Sequence, residues 1–133
     1  MRLSGQFSAI ESLGCLLSEL RIDRPAEASL LAGTALPGIA QRLTERLAWL
    51  PEPVTVIEFD SKSDELLLRS KTVLKTEAGT GYHEFVLDPS GLRMHRYLKP
   101  TGAPRQRVEM ALTWETFGRL VDDVSEVLVS VDT

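Results

Sequence analysis

The chain reads YHEFVLDPSGLRMHRYL over residues 82–98, and this stretch is the clearest indication of β-structure in the sequence. Two runs with alternating apolar and polar side chains flank the tetrapeptide Asp88-Pro89-Ser90-Gly91. Alternation with a period of two is typical of a half-buried β-strand. Proline at the first central position and glycine at the end suit a type I turn with a G1 bulge. The sequence therefore predicts a β-hairpin with strands over residues 82–87 and 92–98.

The turn also predicts a register for this hairpin. Counting outward from a three-residue loop places Glu84 opposite Arg96 and Phe85 opposite His95. Glu84 and Arg96 are then expected to pair across the strands. The other face of the hairpin is expected to mix basic, aromatic and aliphatic side chains, which are His83, Phe85, Leu87, Arg93, His95 and Tyr97.

Further strands are predicted on both sides of the hairpin. Residues 54–59 are rich in β-branched and aromatic side chains. Residues 66–76 and 105–113 alternate apolar with polar side chains, and polar turns separate them from their neighbours. We therefore expect five antiparallel strands joined as a meander.

Apolar spacings of three and four predict three helices before the sheet. Residues 8–21 begin with the capping-box spacing of Ser8 and Glu11. A second helix is predicted to begin near Pro25 and to end near Gly33. A third is predicted over residues 37–50, where a Pro-Glu-Pro stretch ends it. The apolar stripe of the first helix comprises Ile10, Leu13, Leu17 and Leu20.

The sequence after the last strand predicts a closing amphipathic helix over residues 114–131. Thr113 is suited to cap its first turn. Valine weakens helix propensity, so a strand is the alternative prediction for residues 127–131. The apolar stripe of this helix comprises Phe117, Leu120, Val121, Val124, Val127, Leu128 and Val131.

The predicted elements describe one α+β domain over residues 1–133. It consists of N-terminal helices in residues 1–50, a five-stranded antiparallel β-meander in residues 54–113, and a C-terminal amphipathic helix, residues 114–131, packed on the sheet. A chain of 133 residues is long enough to bury a core without disulfides or metals.

Composition points to a cytoplasmic protein. Hydrophobic content of 43% and charged content of 26% are ordinary values for a globular chain. Cys15 is the only cysteine, which excludes an internal disulfide and fits a reducing compartment. No secretory signal is recognisable, and the weakly polar residues 29–40 are too few to span a bilayer. We expect a soluble protein without membrane contact.

The charges are distributed unevenly along the chain. Residues 66–107 hold eight Lys or Arg against three Asp or Glu, although the whole chain has a net charge of −4. A sheet face dominated by one sign of charge is a candidate binding surface. The residues predicted to contact a partner are Arg69, Lys71, Arg93, His95 and Tyr97, with Trp114 as an aromatic anchor at the start of the closing helix.

No pattern of residues predicts catalysis or a cofactor. Cys15 lies in no nucleophile motif, and Gly79-Thr80-Gly81 lies between two strands instead of opening a helix. His83 and His95 are predicted at diagonal positions of one face, about 7–8 Å apart. A zinc site needs a third ligand, which the sequence does not indicate. We therefore expect two packed or surface histidines, with no catalytic, cofactor or metal site.

Three functions remain open from the sequence. The leading one is a non-enzymatic protein-binding module, adaptor, or assembly factor or chaperone, acting on another protein or as a homodimer. The alternative is a binder of single-stranded nucleic acid or another polyanion, because basic and aromatic residues together hold phosphates and bases. The third is a small enzyme with a pocket between the helices and the sheet.

Overall fold

A computed structural model describes residues 1–130. Over that span the chain forms nine strands and two α-helices. The strands are β1 (Arg2–Ile10), β2 (Gly14–Asp23), β3 (Val54–Asp60), β4 (Glu65–Ser70), β5 (Leu74–Thr76), β6 (Gly79–Asp88), β7 (Gly91–Lys99), β8 (Gln106–Val108) and β9 (Met110–Thr113). The helices are α1 (Leu36–Arg46), preceded by a 3₁₀ turn over Gly33–Ala35, and α2 (Trp114–Val129).

The strands form one antiparallel sheet in the order β1-β2-β7-β6-β4-β3. The three short strands extend it, since β5 pairs with β6, β8 with β7, and β9 with β2. Strand β2 therefore has two partners on one side, with its first half beside β9 and its second half beside β7. Strands β1 and β3 are the two ends of the six-strand order, and the short strands β5, β8 and β9 of the described chain each have a single partner as well.

Both helices pack against one side of the sheet, which we call the inner face. This face carries Leu68, Phe85 and Met94, which are buried in one cluster with Leu43 of α1 and Leu120 of α2. Burial of such apolar side chains is the main driving force for folding. The Thr113 hydroxyl caps α2 by accepting a hydrogen bond from the backbone N–H of Thr116 at 3.2 Å. The predicted mixture of helices with an antiparallel sheet is confirmed, but the predicted five-stranded meander is wrong, because the sheet has nine strands and β2 lies between β1 and β7.

The hairpin of β6 and β7 exists, but the predicted register is wrong by one residue. Asp88 pairs with Gly91 and Phe85 with Met94. Asp88 Oδ1 accepts hydrogen bonds from the backbone N–H groups of Ser90 and Gly91, at 2.8 and 3.0 Å, and this shortens the loop to two residues. Gly91 thereby enters β7, where a Cβ atom would lie 2.3 Å from the Ile22 carbonyl oxygen. Glycine is needed here for close packing against β2, and not for a bulge.

In the observed register, the basic and aromatic side chains that were predicted to share one face lie on two faces of the sheet. His83, Phe85 and Leu87 point to the inner face, whereas Arg93, His95 and Tyr97 point to the opposite, outer face. A shift of one residue on only one of the two strands produces this division, because side chains alternate along each strand.

The predicted first helix, residues 8–21, is wrong, because these residues belong to the hairpin of β1 and β2. Ser18 is an extra residue in β2, so Leu17 and Leu20 both point to the inner face and are fully buried. The bulge converts a spacing of two into a spacing of three, which resembles a helical stripe. Leu13, from the same predicted stripe, lies in the connecting turn and is 83% exposed.

The other predicted elements differ in their bounds. The second helix, predicted up to Gly33, is absent, and its residues form turns and extended chain before the 3₁₀ turn. The third helix is confirmed as α1, which ends at Arg46. The long strands predicted over 66–76 and 105–113 are each broken in two, which gives β4 and β5, and β8 and β9.

The closing helix is confirmed as α2 as far as Val129, so the strand alternative is wrong over residues 127–129. Val131, the last member of its predicted stripe, lies outside the described residues. Over residues 1–130 no helix is long and apolar enough to cross a membrane.

Candidate functional site

The structure places four of the six predicted contact residues on the outer face. Arg69 of β4 joins Arg93, His95 and Tyr97 of β7 there, because the strands between them keep all four on one side. Lys71 lies in the exposed loop after β4. Trp114 lies at the start of α2, beside the turn that joins β1 and β2.

Buried Glu84 organises the centre of this face. It is only 3% exposed and accepts hydrogen bonds through Oε1 from Arg69 Nη2 at 2.7 Å and from Arg105 Nη1 at 2.5 Å. Hydrogen bonding to Tyr82 and Glu84 raises the pKa of Arg105. The Arg105 guanidinium also lies 3.9 Å from the centroid of the Tyr97 ring, a cation–π contact. The basic side chains at the centre of this face therefore bind Glu84, and Arg105 also contacts the Tyr97 ring.

His95 is held in the same way by a carboxylate. Its Nε2 lies 2.8 Å from Glu19 Oε1, so that nitrogen carries the proton that the carboxylate accepts. Burial lowers the pKa of His95 below its usual value, and nearby Arg107 and Arg93 lower it further despite Glu19. His95 is therefore uncharged at pH 7 and adds no positive charge to the face.

A cleft of about 350 Å³, which we call the outer cleft, opens on this face between β3 and β8. One wall carries the carboxylates of Glu58 and Asp60. The other wall carries Arg93 and Arg107. Glu65 and Glu84 also line the cleft, beside Arg93 and Arg105, so the surface that the sequence predicted as basic carries charges of both signs.

A separate apolar surface lies along the β1 edge. We call it the edge patch, and it comprises Leu3, Phe7, Ile10, Leu13 and Trp114, all exposed. The Trp114 ring is held by a 2.8 Å hydrogen bond from Nε1 to the Glu11 carbonyl oxygen. Phe117 bridges the patch, with its ring centroid 5.7 Å from that of Trp114 and 6.3 Å from that of Phe7.

A third feature is a cavity of about 400 Å³ between α2 and the inner face. Its lining is mostly apolar, but Glu52, His83 and Arg96 form one polar wall. Burial and the neighbouring Arg96 lower the pKa of His83 to about 4. A general base is most effective when its pKa lies near the working pH, so His83 is poorly suited to that role.

Other candidate chemistry is also placed by the structure. His83 and His95 lie on opposite faces of the sheet, so the shared metal site considered from the sequence cannot form. No group of three or more metal-ligating side chains occurs in the described part of the chain. Cys15 is buried, and burial raises the pKa of its thiol, which makes it a poor nucleophile.

Sequence reasoning gave Glu84 the wrong face and missed Glu19 and the edge patch. The predicted pair of Glu84 with Arg96 is wrong, because Glu84 binds Arg69 and Arg105 on the outer face while Arg96 contacts Glu52. Glu19 and Phe7 were hidden by the helix predicted near the N-terminus, although the alternation of apolar residues over 3–9 was readable as a strand.

Comparison with family models, with curated proteins and with solved structures finds no match to this chain.

Proposed function

We propose that the protein is a non-enzymatic protein-binding module, an adaptor or assembly factor, that binds a partner protein along β1. The observation that carries this proposal is an edge strand with an exposed apolar surface beside it. Within residues 1–130, β1 pairs only with β2, so its other side presents unpaired backbone N–H and C=O groups. An extended segment of a partner can add to such an edge as a further strand.

The two edges of the sheet differ in a way that favours β1. Strand β3 is also exposed, but it carries the carboxylates of Glu58 and Asp60, and charged side chains discourage edge pairing. Strand β1 is longer, with nine residues, and Arg2 is its only charged residue. The edge patch adjoins β1 and offers aromatic side chains of the kind that contribute most to protein interfaces.

The partner is a protein segment with apolar side chains at alternate positions, and a second copy of this chain is one such partner. Two β1 strands paired antiparallel would hold their Arg2 side chains at opposite ends of the new ladder, so these charges would not repel each other. A cytoplasmic location belongs to the proposal, because a single cysteine fits a reducing compartment.

The nucleic-acid alternative has weaker support. Arg69, Arg93 and His95 each contact a carboxylate, Glu84, Glu65 and Glu19 respectively. Phosphate binding would have to displace these partners. The enzyme alternative also has weaker support, because no cysteine or serine among the described residues lines the cavity beside His83 and this histidine is poorly suited to act as a general base.

The test compares a double variant, Leu3→Lys with Ile10→Lys, to a control, Ile57→Lys, on the other edge. All three residues are exposed, so the substitutions are expected to change stability by less than about 0.5 kcal/mol each. Light scattering reports self-association, and affinity capture from the source cells reports a different partner. We expect the wild type and the Ile57→Lys control to bind, and the double variant to lose binding. A monomeric wild type that captures no protein, or a double variant that still binds, would contradict the proposal.

A further inference from the structure

The cavity between α2 and the inner face lies beside a division in the sheet. Strand β2 pairs with β7 through residues 20–23 and with β9 through residues 14–17. The far end of β7, residues 96–98, pairs with β8 instead. Within residues 1–130, β8 and β9 do not pair with each other, so a gap separates them. Residues of β7, β9 and α2 line the cavity, which therefore opens beside this gap.

Most of the cavity wall is apolar. Phe85 and Met94 contribute from the inner face. Leu112 contributes from β9, and Leu120 contributes from α2. All four side chains belong to the hydrophobic core, so their positions are fixed by close packing. The volume of about 400 Å³ lies within the usual range for small-molecule sites, which combine an apolar wall with a few polar groups. The cavity is therefore suited to a ligand whose body is apolar.

Glu109 is an accessible carboxylate at this cavity. It lies between β8 and β9 and contributes to the cavity wall. The residue is exposed, and it makes no hydrogen bond or ion pair with the residues that the structure describes. A cationic group of a ligand can therefore reach this carboxylate from solvent without displacing a partner from the protein.

The backbone of β9 supplies a further polar group to the cavity. The Trp114 N–H donates to the Leu13 carbonyl oxygen at 3.2 Å, which makes these two residues a hydrogen-bonded pair. Hydrogen-bonded and non-bonded pairs alternate along an antiparallel ladder, so Ala111 directs its N–H and C=O groups away from β2. Ala111 also lines the cavity. Its carbonyl oxygen is therefore an acceptor for a ligand that donates hydrogen bonds.

The other polar groups of the wall leave a negative charge on the cavity. Glu52 lies 3.3 Å from Arg96, so these two charges compensate each other. His83 is uncharged at pH 7, because burial and the neighbouring Arg96 lower its pKa to about 4. Glu109 remains as the uncompensated charge of the wall. A cationic ligand is therefore favoured over an anionic one.

We propose that this cavity binds a small primary amine with an apolar body. The ammonium group contacts the Glu109 carboxylate and donates to the Ala111 carbonyl oxygen, whereas the body packs between α2 and the inner face. A carboxylic acid with the same body would be repelled by Glu109 and would have to displace Glu52 from Arg96. The cavity shares no residue with the edge patch, so this site can be tested independently of binding at β1.

The experiment is an NMR titration of the ¹⁵N-labelled protein at pH 7. The ligands are 2-phenylethylamine, 2-phenylethanol and phenylacetate, which carry a phenyl ring on a short chain and differ in charge, and ethylamine, which carries the charge without the ring. We expect 2-phenylethylamine to bind about threefold to fivefold more tightly than 2-phenylethanol, as one partly exposed ion pair allows, with shifts in β7, β9 and α2. The proposal is overturned if phenylacetate or ethylamine binds as tightly as 2-phenylethylamine, or if the shifts lie away from the cavity.

Variants separate the ion pair from the apolar part of the site. Glu109→Gln changes an exposed side chain and is expected to fold. It should lower the affinity for 2-phenylethylamine to that for 2-phenylethanol, and the affinity for 2-phenylethanol should stay unchanged. Glu115→Gln is the matched control, because it removes an exposed carboxylate of α2 that is not part of the cavity wall, and it should change neither affinity.

A third variant, Thr116→Leu, enlarges a side chain that α2 contributes to the wall. It should weaken the binding of both phenyl compounds by about tenfold, since the added atoms occupy part of the cavity. The dispersion of the ¹⁵N spectrum shows whether each variant is folded. Equal losses of amine affinity in Glu109→Gln and Glu115→Gln would overturn the proposal, as would full affinity in a folded Thr116→Leu.

Discussion

Replacing Glu84 by glutamine tests whether the outer face is held together by this one carboxylate. The substitution preserves the shape of the side chain and removes its charge. Arg69 and Arg105 would then lie against an uncharged amide. The variant isolates the electrostatic part of the network, because the packing around position 84 need not change.

The expected cost follows from the burial of the three groups. Removing one partner of a fully buried ion pair costs about 3–5 kcal/mol. Glu84 is nearly inaccessible, but the Arg69 and Arg105 side chains are 34% and 41% exposed, so water screens the loss. We therefore expect about 2 kcal/mol, a large part of the total stability of a typical domain.

Urea unfolding followed by circular dichroism measures this change. With a denaturant dependence of about 2 kcal/mol per molar urea, the midpoint should fall by about 1 M. Glu65→Gln is the matched control, because it removes the carboxylate from the exposed pair with Arg93 and should cost less than about 1 kcal/mol. Glu84→Gln should also lengthen retention on heparin, since it releases two guanidinium groups. Equal urea midpoints for Glu84→Gln and Glu65→Gln, with heparin retention unchanged from the wild type, would contradict the role of Glu84 as the centre of this network.

Three further predictions concern the fold. Leu20→Ala should cost about 2–5 kcal/mol in urea unfolding, whereas Leu13→Ala should cost less than about 0.5 kcal/mol; equal costs would favour the helical stripe over the β1–β2 hairpin. Gly91→Ala should lower the thermal midpoint, because its Cβ would meet the β2 backbone, whereas Gly38→Ala in α1 meets nothing within 4 Å and should not. Between pH 6.5 and about 4 the unfolded state binds more protons at His83 than the folded state does. The free energy of unfolding should therefore decrease as the pH is lowered through this range, by at most about 3 kcal/mol. The difference between the urea midpoints at pH 7 and pH 4.5 should be smaller in His83→Gln than in the wild type. The same difference in both proteins would contradict the burial of this imidazole.

The central part of the sheet after residue 54 and the two helices of the described region were largely predictable from periodicity. Strands β3, β4, β6 and β7 have strong alternation or β-branched content, and α2 has a long stripe bounded by a capping threonine. The register of β6 and β7 was not predictable from turn propensities, because the Asp88 carboxylate accepts hydrogen bonds from the Ser90 and Gly91 N–H groups and thereby stabilises a shorter loop.

The N-terminal region was mispredicted for a different reason. The bulge at Ser18 in β2 produces an apolar spacing that a helix would also produce, and only the pairing with β7 and β9 decides between them. Tertiary contacts of this kind are not visible in a local pattern.

The candidate sites were predictable only in part. Alternation placed Arg93, His95 and Tyr97 on one face of β7, as the structure has them. The carboxylate partners of Arg93 and His95 are Glu65 and Glu19, which lie on strands distant in sequence. The neutralisation of the face was therefore not visible in the sequence. The edge patch could not be found while its strand was assigned to a helix.

Site-specific photocrosslinking from β1 tests the central claim most directly. A photoreactive amino acid placed at Ser4, which is exposed on the edge strand, should crosslink the protein to a partner protein or to a second copy in the source cells. The same group at Ile57, on the opposite edge, should give no such product, and adding Ile10→Lys should abolish the product from Ser4. The account is contradicted if Ser4 yields no crosslinked protein, or if its product persists with Ile10→Lys.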